Sequence, residues 1–259
     1  MNELRITTVQ NVLYWEDEQA NLQMFEQQLV SLQGQTDLVI LPEMFNSGFS
    51  MSPQNIAQFM QGSTVLWMRE QASRLNAAIC GSIAVEEQGV YFNRFIFMRP
   101  SGEFEFYDKR HCFRMSGEHL VYSAGKTRLV IEYLGWRILP QVCYDLRFPV
   151  FSRNNNDYDL ALYVANWPKI RRKPWQVLSQ ARSIENSCYL AAVNRVGHDG
   201  NGIEYSGDSL IVDFKGDVLS DQQEKISVQT QSLDLPALQL FREKFPAWKD
   251  ADDFALTVE

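Results

Sequence analysis

The sequence predicts an α/β fold. Three observations carry that prediction: apolar runs of strand length alternate with segments of helical periodicity, several of those runs stop abruptly at a polar or charged residue, and the alternation starts again in the second half of the chain. Leu4 to Val9 reads as a first strand. Leu22, Phe25, Leu29 and Leu32 then recur at helical spacing, with Asp17 placed to cap that helix. Asp37 to Leu41 is a short strand-like run ending in Pro42-Glu43, and a loop with Gly48 and Pro53 follows. Ser63 is placed to cap a second helix carrying Val65, Met68, Ala72 and Leu75 on one face. Ala77 to Val85 is a buried strand, and Tyr91 to Arg99 with Phe104 to Lys109 form a hairpin across Pro100-Ser101-Gly102.

The second half repeats the theme. Trp136 to Cys143 is a strand, a short helical segment follows, and Asp159 to Ala165 is a strand ending at Asn166. Pro174 to Asn186 is a helix whose proline sits near its start, where the missing N–H costs nothing. Cys188 to Val193 is a strand ending at Asn194-Arg195, and Ser209 to Phe214 with Asp217 to Leu219 form a hairpin around Lys215-Gly216. The halves read as related layers sharing one sheet stack. We therefore expect one domain, residues 1–234, and a C-terminal arm, residues 235–259, with one short helix and then the stretch FREKFPAWKDADDF. The arm is expected to pack on the same domain or on a partner subunit.

Bulk properties narrow the function. A chain of 259 residues, 45% hydrophobic and 22% charged, can bury a sizeable core as an ordinary soluble globule. A net charge of −8 without a basic block argues against nucleic acid or an anionic membrane as partner. The start, MNELRITTVQ, shows an early acid and no apolar core of a secretory signal, and no apolar run approaches a membrane span. Cys80, Cys112, Cys143 and Cys188 are scattered with no CxxC pair, which predicts reduced thiols and a cytoplasmic location.

The chemistry collects at strand ends. In LPQVCYDLRFP an apolar run from Ile138 to Val142 delivers Cys143 to the rim of a sheet, where open α/β sheets bind ligands. Asp145 and Arg147 follow, placed to brace a tight strand-to-helix turn. Glu43, Lys109, Asn166 and Asn194 occupy corresponding positions after other strands. A thiol is a strong nucleophile once deprotonated, a carboxylate takes its proton, and an ammonium stabilises the oxyanion formed at a carbonyl. Together they suffice for acyl transfer through a thioester. Singly, each has a plainer reading: a buried structural cysteine, a loop carboxylate, a solvated lysine. Spacing alone leaves both readings open. His111, His119 and His198 lack HExxH or CxxC partners, so no metal site is expected, and a Cys143 dyad with His111 or His119 is the weaker arrangement. The glycines of GHDGNG fit neither a dinucleotide nor a phosphate loop and read as a flexible loop. Cys112 reads as incidental. No cofactor is expected.

LPEMF around Glu43, YDKRHCF around Lys109 and VCYDLRFP around Cys143 resemble the three signatures of the nitrilase (carbon–nitrogen hydrolase) superfamily, in the same order and with similarly wide separation. ANWP, ARSIEN, NRVG and GDS are further landmarks, so the resemblance runs from residue 4 to 254. HCFRM, RNNNDYDLALYVANWP and REKFPAWKDADDF are most similar to the bacterial omega-amidase branch. Arg114 stands where many relatives have an aspartate, so substrate contacts do not transfer from other branches.

The resemblance implies a four-layer αββα sandwich that dimerises as a homodimer. It further implies Glu43 as general base, Lys109 as oxyanion stabiliser, Cys143 as nucleophile, Glu118 as a supporting carboxylate and the Tyr144 N–H as oxyanion donor. The branch acts on the terminal amide of short α-keto acid ω-amides, 2-oxoglutaramate and 2-oxosuccinamate, so a small-molecule amide is the expected partner. Its carboxylate calls for a bidentate cation, with Arg114, Arg171, Arg172 and Arg195 near predicted rim loops and Asn166 and Trp167 beside them. Phe45, Tyr144, Trp167 and Phe148 are read as pocket wall or core, and Phe245, Trp248 and Phe254 as cover for a partner subunit or for the pocket mouth. The rivals are an N-carbamoyl amino acid amidohydrolase, a nitrilase proper, and a non-catalytic binding protein on the same fold.

Overall fold

The computed structural model describes residues 2–256; the last three residues of the expected arm lie outside the described part. The first half supplies β1 (Glu3–Gln10), α1 (Glu18–Leu29), β2 (Leu38–Ile40), α2 (Pro53–Ile56), α3 (Ser63–Leu75), β3 (Ala78–Glu87), β4 (Val90–Met98) and β5 (Phe104–Asp108). The second supplies α4 (Glu118–Val121), β6 (Ile131–Tyr133), β7 (Trp136–Val142), β8 (Leu160–Val164), α5 (Arg172–Asn186) and β9 (Tyr189–Val193). After these come β10 (Val196–His198), β11 (Glu204–Ser206), β12 (Leu210–Val212), β13 (Val218–Asp221), β14 (Ser227–Asp234) and α6 (Leu235–Lys244).

Among the described residues the strands form two six-stranded sheets, ordered β14-β1-β2-β3-β4-β5 and β13-β12-β9-β8-β7-β6, and a separate β10–β11 hairpin. Each large sheet has three parallel strands at its centre, β1, β2 and β3 in one and β7, β8 and β9 in the other. Side-chain alternation then builds the layers. Leu38 and Ile40 point into a core shared with Ile138, Leu160 and Leu162 of the second sheet. Val39 and Leu41 point the other way, against Phe25 and Leu29 of α1 and Val65, Met68 and Leu75 of α3. Trp175 of α5 and Leu235 and Leu238 of α6 join the core from the second sheet's side. The order is helix, sheet, sheet, helix, as expected.

Local chemistry explains the element ends. The Asp17 carboxylate accepts the Ala20 N–H at 3.0 Å and starts α1. Ser63 does not cap α3: it is the first helical residue, after Gly62, and Gln58 Oε1 accepts the Thr64 N–H at 3.0 Å instead. GHDGNG is not a loose loop but the turn of the β10–β11 hairpin, where the Asp199 carboxylate accepts the N–H groups of Asn201 and Ile203 at 2.8 and 3.0 Å. The unforeseen element is β14, which runs antiparallel to β1 from Glu3↔Asp234 to Gln10↔Ser227. An edge strand needs little apolar surface, and in SVQTQSLD only Val228 and Leu233 are apolar.

β14 leads directly into α6, whose Arg242 donates to the Asp159 carboxylate at 2.8 Å and to the carbonyls of Tyr158 at 2.7 Å and Ser187 at 2.8 Å. Arg242 and Asp159 are almost fully buried, so removing the guanidinium strands polar groups. Arg242→Ala should therefore destabilise the protein by about 3 kcal/mol, read as a lower urea midpoint. An unchanged midpoint would show that the buried Arg242–Asp159 pair adds nothing to the fold.

Candidate active site

The C-terminal ends of β2, β5, β7, β8 and β9 share one rim; β5 runs parallel to β3 because two antiparallel steps separate them. Glu43, Lys109, Cys143, Asn166 and Asn194 follow these strands. Four of the five converge. Lys109 Nζ donates to Glu43 Oε1 at 2.9 Å and to both oxygens of Glu118 at 2.9 Å. The second sheet reaches across: the Asn166 N–H donates to Glu43 Oε2 at 2.7 Å, and its side-chain amide to the Glu43 carbonyl at 2.6 Å. Cys143 Sγ lies 4.0 Å from the Asn166 carbonyl. Asn194 turns away, holding the Trp167 N–H at 2.8 Å and donating to the Trp167 and Gly207 carbonyls.

Cys143 sits in the left-handed region, φ 47°, at the step from β7 into a short 3₁₀ turn. A non-glycine residue there is strained by about 1–3 kcal/mol and must be held. Asp145 is the holder. Its carboxylate accepts the Val142 N–H at 2.9 Å, the His111 N–H at 2.9 Å and the Tyr107 hydroxyl at 2.8 Å. His111 Nδ1 lies 2.7 Å from the same carboxylate and its ring stacks on Phe148 at 3.9 Å, so His111 belongs to this brace and forms no dyad with the thiol. Arg147 plays no part in the brace; its guanidinium lies 5.0 Å from the Trp167 ring centre and faces the cavity.

The cavity is about 740 Å³, with Lys109, Cys143 and Asn166 in its wall. Phe49 lies there too, its ring 5.0 Å from Lys109 Nζ, along with Tyr144, Trp167, Arg147 and Arg171. Several expected contacts are corrected. Arg195 is fully buried and donates to the carbonyls of His198 at 2.8 Å and Leu13 at 3.3 Å, because the β10–β11 hairpin folds over it. Arg114 is exposed and outside the cavity wall, and Arg172 is paired with Asp208 and Glu224. Phe45 lies in the core against α1 and α3, and Phe148 backs His111 rather than the pocket. Phe245, Trp248 and Phe254 are exposed and do not line this cavity.

Asn93 was not anticipated. It is almost fully buried on β4, and its amide donates to Glu43 Oε1 at 2.8 Å and Glu118 Oε1 at 3.3 Å. The only sequence signal is the polar pair Asn93-Arg94 in the otherwise apolar strand YFNRFIFM, just across the hairpin from Lys109.

Burial sets the charges. It pushes the Cys143 thiol well above its ordinary pKa, with the Glu43 charge adding and Lys109 opposing. Burial works to lower the Lys109 pKa, but Glu118 and Glu43 outweigh it and hold the ammonium charged. Burial raises the Glu118 carboxyl against the pull of Lys109. The resting arrangement is thus a protonated thiol beside a base and a fixed cation, suited to attack on a carbonyl with proton transfer at the moment of reaction.

Comparison with known proteins agrees with this geometry. The family described as carbon-nitrogen hydrolase matches residues 5–243. Omega-amidase YafV of Escherichia coli K12 is 50% identical over 99% of this chain and 100% of its own length. The 2-oxoglutaramate amidase of Bacillus subtilis is 30% identical, covering 83% of this chain and 84% of its own. The crystal structure of a CN-hydrolase superfamily protein from Xanthomonas campestris, with an arsenic adduct in its active site, superposes with a TM-score of 0.97 at 48% identity, over 99% of this chain and 100% of that one.

Because only a thiolate is alkylated and the Cys143 thiol titrates above the ordinary range, its reaction with iodoacetamide should climb about tenfold per pH unit through about pH 9. Peptide mapping against Cys143→Ala separates it from the other thiols. A plateau below about pH 8 would contradict the charge arrangement.

Proposed function

The chain belongs to the carbon–nitrogen hydrolase family, and on that premise we propose that it hydrolyses the terminal amide of short α-keto acid ω-amides, such as 2-oxoglutaramate and 2-oxosuccinamate, to the dicarboxylate and ammonia. The observation that carries the reading is Lys109 Nζ, held 2.9 Å from both Glu43 and Glu118 beside the only cysteine in the cavity wall. The activities named for the relatives, omega-amidase and 2-oxoglutaramate amidase, support the substrate class.

Cys143 Sγ attacks the amide carbon while Glu43 accepts the thiol proton. The carbonyl oxygen becomes an oxyanion, stabilised by Lys109 and by the Tyr144 N–H, which lies in the first turn of a 3₁₀ segment where N–H groups lack helical partners. Glu43 passes the proton to the amide nitrogen, the C–N bond breaks and ammonia leaves. Water then gives a proton to Glu43, its oxygen adds to the thioester carbon, and collapse releases the carboxylate and restores the thiol. Glu118 keeps Lys109 in place. For the substrate's own carboxylate the free cations of the cavity wall are Arg147 and Arg171, neither with a carboxylate partner among the described residues, and Trp167 supports both: its ring faces Arg147 and its indole N–H donates to the Arg171 carbonyl at 2.8 Å.

The protein is further proposed to act as a cytoplasmic homodimer. Exposed Val177 and Ile184 on α5 and Phe245 and Trp248 after α6 support a partner surface, and four free cysteines support a reducing compartment. No helix among the described residues is long and apolar enough to cross a membrane.

Ammonia release across a panel of an ω-amide, an N-carbamoyl amino acid and a nitrile tests the reaction class. The ω-amide should be turned over fastest and Cys143→Ala should reduce its turnover at least about a thousandfold. Preference for the carbamoyl compound or the nitrile would overturn the substrate assignment, and near-normal turnover by Cys143→Ala would overturn the mechanism.

A further inference from the structure

Among the described residues, Asn93 is the neutral side chain that touches both carboxylates of the site. Its backbone carbonyl accepts the Lys109 N–H at 2.9 Å, extending the β4–β5 ladder one step beyond Arg94↔Asp108. Its Nδ2 donates to Glu43 and Glu118, at 2.8 and 3.3 Å. The orientation of the amide is dictated by chemistry, since a flipped Asn93 would aim its carbonyl oxygen at two acceptors. In the orientation present, Oδ1 is buried with no partner among the described residues. An unpaired buried acceptor is costly, so this asparagine is a poor choice for stability alone.

Charge counting gives the reason for an amide here. Two carboxylates and one ammonium leave an excess negative charge in a buried cluster. Left to themselves, the carboxylates compete for Lys109 and one of them tends to take a proton. A second lysine or arginine would cancel that charge but weaken Glu43 as a base. A neutral donor with two N–H groups steadies both carboxylates without adding a charge.

We propose that Asn93 is a positioning residue for the hydrolysis: its amide clamps Glu43 and Glu118 to each other and its carbonyl registers Lys109, so that the Glu43 carboxylate is held in place for the Cys143 thiol. The inference rests on the amidase reading of this site. The other ionisable groups facing the pair are Lys109, Cys112, Tyr122, Cys143 and Tyr205, and each is left in place by a change at Asn93.

The test is the pH dependence of kcat and KM for an ω-amide, measured on the full chain for wild type, Asn93→Ala and Asn93→Asp. Rates are normalised to the Cys143 thiol titrated in folded protein, so that loss by misfolding is removed. Asn93→Ala should lower kcat about a hundredfold with KM changed less than about threefold, and should move the acid limb of the profile up by about one pH unit. Asn93→Asp, with a third carboxyl in place of the donor, should move that limb further. An unshifted acid limb in both variants, or a normalised kcat equal to wild type, overturns the proposal. Wild type inactive on amides would instead remove the functional reading beneath it.

Discussion

A single ammonium group between two buried carboxylates ties this molecule together. Lys109 comes from the end of the first sheet, Glu43 from the same sheet three strands away, and Glu118 from the helix that follows, and all three are essentially inaccessible to water. Burying three charges costs several kcal/mol each before they are paired, so the cluster persists only with near-ideal geometry and extra donors. Asn93, Asn166 and the Phe113 N–H are those donors. One of them belongs to the second sheet, which is why the two sheets must stack with their rims in register. The fold is in this sense built around an electrostatic demand at its edge, while the apolar interior supplies the stability that the demand consumes.

Cys143 imposes the second constraint. Cys143 leaves its strand through a backbone conformation that suits glycine, and a buried aspartate with four polar partners keeps it there. From there its sulfur lines the cavity shared with Lys109 and Asn166. Burial and the Glu43 charge raise the thiol's pKa, so the proton favours the sulfur.

Much of this was legible in the amino-acid order. Long central strands announce themselves by apolar runs, and a run broken by Glu43, Lys109 or Cys143 marks both a strand end and a reactive rim. The elements that escaped notice are those with little hydrophobic signature. β14 is a polar edge strand, defined by its ladder to β1 across more than two hundred residues, and no local pattern reports such a pairing. The β10–β11 hairpin was hidden by glycines that suit a turn as readily as a loop. Arginines were the hardest to read, because their role depends on what surrounds the guanidinium. Arg195 is roofed by a hairpin, Arg172 is neutralised by acids far along the chain, and Arg147, expected to brace the turn, faces the cavity instead. Asn93 was invisible for a related reason: an asparagine in a strand acquires meaning only when two carboxylates from elsewhere arrive at its amide.

The claim on which the account stands is that the acyl group of the substrate passes through the sulfur of Cys143, with Glu43 moving the protons. Acid-quenched peptide mapping during the first turnovers of 2-oxoglutaramate, in wild type and in Glu43→Gln, tests this directly. The account predicts the acyl mass on the peptide carrying Cys143 and nowhere else, as an acid-stable, hydroxylamine-labile adduct, formed more slowly in Glu43→Gln. Ammonia released with the acyl mass on a different residue, or an adduct that forms at the same rate without the Glu43 carboxylate, would contradict it.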